Sequence, residues 1–102
     1  MMNQLTFYVS EKQHQDGKPL YEWLLEQGRS LGIHGGSAFR AMAGFGRHGR
    51  MHEDTFFELA GELPVRVEFV LADESVEQFM DLLQPYDLKI YFVSFPVKSG
   101  FI

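Results

Sequence analysis

The chain has 102 residues, 45% of them apolar and 15% aromatic, enough for one compact core and too rich in rings for a disordered segment. Nine Lys and Arg against fourteen Asp and Glu leave a net charge of −5, which disfavours bulk electrostatic binding to nucleic acid or to an anionic membrane. Cysteine is absent, which excludes disulfides, thiolate metal centres and thiol nucleophiles and fits a reducing cytoplasm. No apolar run approaches a membrane span, and residues 1–11 alternate polar with apolar instead of forming an export signal. The expectation is one cytoplasmic domain covering 1–102, without membrane insertion.

Leu5, Phe7 and Val9 alternate with Thr6, Tyr8 and Ser10, the period of two that predicts a first strand. His14 to Lys18 supplies turn chemistry, and Pro19 suits the first position of a helix over 19–31. Leu20, Trp23, Leu24 and Leu31 form its apolar face, and Gly32 is placed to end it in the left-handed conformation. Residues 37–44 alternate as a second strand, 45–55 read as an exposed loop, and the Val-rich run 63–72 predicts a central strand. Asp73 and Ser75 can each cap a following helix, Ser75 with Gln78 at capping-box spacing, and the helix's stripe is Val76, Phe79, Met80 and Leu83. Pro85 stops that helix, and 88–97 form a closing strand before a frayed tail.

The order β-α-β-β-α-β predicts an α+β ferredoxin-like sandwich, an antiparallel sheet with two helices on one face. Trp23, Phe39, Phe69, Phe79 and Phe92 are assigned to its core. Phe56 and Phe57 are adjacent, so only one can face inward, which leaves the other for a neighbouring subunit.

Charge is distributed unevenly. Between Gln27 and His52 there is no acid, while Arg29, Arg40, Arg47 and Arg50 give that segment +4 and leave −9 for the rest. Gly44-Phe45-Gly46-Arg47-His48-Gly49-Arg50 combines backbone amides open to close approach with guanidinium groups able to bind phosphate or carboxylate. Read from the residues alone, this is either an anion-binding loop or a solvated loop whose glycines permit a tight turn. Its Gly-x-Gly-x-x-Gly spacing lacks the helix opening and the long doubly wound sheet of a dinucleotide fold. His48 and His52 are weak candidates for a metal, since Gly49 between them opposes the helix that would align them. Nothing has the spacing of a catalytic set, and no enzymatic activity is expected.

Gly44-Phe45-Gly46-Arg47, the run Leu63 to Val70, and Ala72-Asp73-Glu74-Ser75-Val76 resemble the P-II-like signalling superfamily. More narrowly, Gly35-Gly36-Ser37-Ala38 after the first helix, then Gly-Phe-Gly with a nearby His, then Leu-Pro before the Val-rich strand, are similar to uncharacterised family 190 of domains of unknown function. The resemblance implies a homotrimer with ligand sites in the clefts between subunits and a loop after strand two that reports occupancy to a protein target. It implies that Gly44, Phe45, Gly46 and Arg47 form the base of that loop. It also implies that Arg66 stands where those proteins carry a lysine, and that Lys89 stands where they contact phosphate. The glycine-rich phosphate loop before that lysine is shortened here to Gln84-Pro85-Tyr86-Asp87-Leu88, and the C-terminal arginine pair is missing. The ligand therefore stays open between an adenine nucleotide, a dinucleotide, a phosphate and a smaller anion such as bicarbonate. The expected ligand set is Arg40, Gly44, Phe45, Gly46, Arg47, Arg50, Arg66 and Lys89. The alternatives are a divalent-metal-binding trimer related to cation-tolerance proteins and a structural trimer without a ligand. An RNA-recognition reading fails on charge and on the residues that follow Phe45.

Overall fold

The computed structural model describes residues 1–44 and 64–102. Strand β1 (Met2–Ser10) is followed by a minimal hairpin, β2 (His14–Gln15) and β3 (Lys18–Pro19), turned by Asp16 and Gly17 at φ 54° and 79°. Positive φ at both central residues is the geometry whose twist suits a two-residue hairpin. Helix α1 (Leu20–Ser30) begins one residue after Pro19, which serves as its N-cap. Lys18 pairs with Glu26 of α1 at 2.5 Å, tying the hairpin to the helix, and this contact raises the Lys18 pKa. Gly32 ends the helix as its sequence position suggests. At φ 82° its N–H donates to the Arg29 carbonyl at 3.0 Å, and the Ile33 N–H donates to that of Gly28 at 3.1 Å, the paired closure of a Schellman motif.

Strand β4 (Gly36–Arg40) is shorter than the 37–44 read from alternation. Its partner β5 (Pro64–Ala72) starts at a proline, which has no N–H to extend the ladder; the Ala41 N–H donates to the Pro64 carbonyl at 2.9 Å and the pairing ends. β5 runs without a loop into helix α2 (Asp73–Leu83). The capping box expected at Ser75 and Gln78 is not formed, because the helix has begun two residues earlier and no side chain caps it. Instead the Asn3 amide donates to the Asp73 carboxylate, and the Asp73 N–H donates to the Met1 carbonyl at 3.1 Å. A 3-10 turn at Gln84–Tyr86 contains Pro85 and precedes strand β6 (Tyr91–Val97). β6 starts three residues later than expected, since Asp87 and Lys89 take φ 52° and 59°, incompatible with extended pairing.

Four of the strands form one antiparallel sheet in the order β4-β5-β1-β6, the ferredoxin-like α+β arrangement, and β2 with β3 forms a separate ribbon. Leu5, Phe7 and Val9 of β1 and Val65, Val67, Phe69 and Leu71 of β5 face the helices, meeting Leu20, Trp23 and Leu24 of α1 and Phe79 and Leu83 of α2. Phe69 packs edge-on against Phe7 and Phe79, with ring centroids 6.5 and 5.0 Å away. Trp23 meets Tyr86 of the 3-10 turn at 4.7 Å, so α1 also anchors the chain after α2.

Two of the five aromatic residues assigned to the core are not there. Phe39 is 46% exposed because its register partner is Arg66, on the face away from the helices. Phe92 points to the helix side opposite Phe7, yet it is also 46% exposed because β6 is an edge strand that α2 does not fully cover. The helix-free face accordingly carries exposed apolar side chains, Tyr8, Phe39, Val70, Tyr91 and Phe95, around Arg66 and Glu68. No helix among the described residues is long and apolar enough to cross a membrane.

Candidate functional site

Antiparallel pairing brings the end of β1, the end of β4 and the starts of β5 and β6 to one end of the sheet. The register there runs Phe39 to Arg66 to Tyr8 to Tyr91 across four strands, all on the helix-free face. Arg66 lies there because Val65 and Val67 must face the core, and the pleat sends the residue between them outward. Its guanidinium carbon sits 4.8 Å from the centroid of the Phe39 ring, and its Nε lies 2.9 Å from Glu68 Oε2. Tyr8 and Tyr91 continue the row with ring centroids 5.8 Å apart.

Arg40 ends β4 on the opposite face, across from Val65, and pairs with Glu11 at 2.5 Å. Gly44 is exposed with open space around it. Lys89 lies two residues before β6 in a left-handed conformation and pairs loosely with Asp87 at 3.8 Å, both side chains well exposed. It borders a cleft of about 390 Å³ between α2 and β6, floored by Phe7, Met80, Leu83 and Phe92. Phe45, Gly46, Arg47, His48, Arg50, His52, Phe56 and Phe57 lie outside the described residues.

Arg40, Gly44, Arg66 and Lys89 therefore share one end of the sheet, but a single subunit does not join them into a pocket. Arg66 and Tyr91 are separated by β1, a Cα distance of about 10 Å at ordinary strand spacing, and Lys89 lies beyond. Each described cation of the expected set is paired with a carboxylate: Arg40 with Glu11, Arg66 with Glu68, Lys89 with Asp87. Pairs this exposed are weak, so an anion with better geometry can share or replace the partner. Among the described residues no group of three or more His, Asp or Glu is gathered to hold a metal ion.

The sequence reading places Phe39 in the core and assigns Glu11, Glu68 and Tyr91 no role at these cations. The signal for Glu68 was present, since Arg66-x-Glu68 between inward valines puts both on one face. The pairing of Glu11 with Arg40 spans 29 residues and leaves no local trace.

Comparison with known proteins places these features in a family context. The model of the DUF190 family, described as an uncharacterized ACR, matches residues 2–98. A UPF0166 protein from Aquifex aeolicus (strain VF5) is 35% identical over 77 residues, covering 76% of this chain and 73% of that protein. Two solved structures share the fold. CPII, a nitrogen regulatory PII-like protein from Thiomonas intermedia K12 bound to ADP, AMP and bicarbonate, aligns with a TM-score of 0.58 at 17% identity over 92% of this chain and 86% of its own. A candidate PII-like signaling protein from Thermus thermophilus aligns with a TM-score of 0.56 at 16% identity over 92% of this chain and 82% of its own.

Proposed function

The chain belongs to the DUF190 family, and from that membership and its PII-like fold we propose that it is a sensor subunit that binds a small anionic ligand between copies of itself. The ligand class is an adenine nucleotide, bicarbonate, or both, the molecules bound to the CPII neighbour. The observation that carries this reading is the gathering of Arg66, Lys89, Arg40 and Gly44 at one end of the sheet without closure in one subunit. A second copy supplies the missing wall. The open sheet face supports self-association, because Tyr8, Phe39, Val70, Tyr91 and Phe95 expose large apolar side chains there, around the polar Arg66, Glu68 and Gln4. A homotrimer is the assembly proposed.

Chemically, Arg66 offers a planar fork for a phosphate or carboxylate and Lys89 a mobile point charge. Gly44, exposed after β4, adds a backbone amide at the same end. Binding alters the surface shown to a protein target, driven only by the ligand's higher affinity for one of two states. The role is one of binding in the cytoplasm and not of catalysis.

Calorimetric titration with ADP in bicarbonate buffer tests the proposal. Saturable binding is expected, with Arg66→Ala and Lys89→Ala each weakening it about tenfold or more, the usual worth of a charge-assisted contact. Absence of binding to ADP, AMP and bicarbonate alike would refute it.

A further inference from the structure

We propose that Glu68 is a positioning residue for anion capture: it holds the Arg66 guanidinium by its Nε side, so that the Nη-bearing end is presented to the ligand. This rests on the reading of Arg66 as an anion ligand and assigns a role to a residue outside the expected set. The planar guanidinium has two faces and two usable edges, the Nε side and the end bearing the two terminal nitrogens. Phe39 takes one face, with the guanidinium carbon 4.8 Å from the ring centroid, and Glu68 approaches Nε at 2.9 Å. The end left for an external group is the one whose two terminal nitrogens match an oxyanion with two coplanar oxygens. Both restraints come from the sheet itself. Glu68 is two residues along the same strand and hence on the same face, and Phe39 is Arg66's register partner on β4. The Glu68 side chain is 23% exposed and that of Arg66 45%, so the carboxylate is the sheltered member of the pair.

An arginine free in solvent loses most of its rotamer freedom when it captures an anion; one already held on two sides loses little. The opposing view makes Glu68 a competitor whose charge the ligand must displace. The two views separate at Glu68→Gln and Glu68→Ala, which remove the same charge but differ in keeping an acceptor for Nε–H. Titration with ADP is expected to give Glu68→Ala a Kd about three- to tenfold weaker than Glu68→Gln, the range for immobilising one long side chain. In the ligand-free protein, the ¹⁵N resonance of Arg66 Nε is expected to show slowed exchange of its proton with water in the parent and in Glu68→Gln, and fast exchange in Glu68→Ala. Equal Kd values for the two variants, both tighter than the parent, would make Glu68 a competitor and overturn the proposal. Exchange unchanged in Glu68→Ala would overturn it as well. If Arg66→Ala binds ADP as the parent does, Arg66 is no ligand and the site reading falls too. If Arg66→Ala loses binding while the two Glu68 variants bind alike, only the positioning role falls.

Discussion

Lys89 and Asp87 adopt left-handed backbone conformations without being glycine, at φ 59° and 52°, a cost of about 1–2 kcal/mol each for an L-residue. The half-buried residues Leu88 and Ile90, which pack against the core, alternate with them, so the turn directs two apolar side chains inward and two charged ones outward. Lys89→Gly removes the strain and adds chain entropy to the unfolded state, two effects of similar size. Its unfolding free energy is therefore expected to stay within about 1 kcal/mol of the parent's, while ADP binding weakens as in Lys89→Ala. A large loss of stability would show that the ammonium is structural. The same residue scale shows how much of the site was legible. Arg66 could be placed on an open face from the alternation Val65-Arg66-Val67-Glu68 alone. Phe39 could not, because alternation separates two faces without saying which one the helices cover.

At the scale of elements, α1 packs on the sheet and β4 pairs with β5 through residues that lack a side chain. A Cβ on Gly28 of α1 would stand 2.5 Å from the Phe69 ring, and one on Gly36 of β4 would meet the same ring at 2.5 Å and Leu25 at 3.0 Å. Phe69 is 3% exposed and held by Phe7 and Phe79, so its ring has nowhere to go. Gly28→Ala gains about 1 kcal/mol of helix propensity but overpacks the core at a cost of about 1–3 kcal/mol. Net destabilisation in urea is expected, and rescue by the double variant Gly28→Ala with Phe69→Leu would tie it to the ring. A Gly28→Ala variant more stable than the parent would contradict this packing. The stop at Gly32 was legible because a left-handed C-terminus has a local code. The start of α2 was not: Ser75 and Gln78 have the right spacing, but β5 passes directly into the helix and Asp73 is held by Asn3 and the Met1 carbonyl, both distant in sequence. The order of the four sheet strands and two helices was readable, but the β2–β3 hairpin was legible only as a turn, and strand ends depended on Pro64 and on the two left-handed residues before β6.

For the molecule as a whole, the helices bury one face of the sheet and leave the other to be covered. Val70 stands on that open face, 41% exposed, in register with Gln4 of β1. Val70→Asp would place a charge in any interface formed there without touching the core beneath. Native mass spectrometry is expected to show a trimeric parent and a monomeric variant with an unchanged far-ultraviolet circular dichroism spectrum. A variant of unaltered mass would move the interface elsewhere. Loss of ADP binding together with loss of the trimer would follow if two copies must wall the site.

The most direct measurement is a crystal structure of the protein grown with ADP and bicarbonate. The expected result is ADP at the end of the sheet where β5 and β6 begin, its phosphates within hydrogen-bond distance of Arg66 and Lys89, with the two residues supplied by different copies. ADP seated instead in the cleft between α2 and β6, or enclosed by one copy alone, would contradict the account.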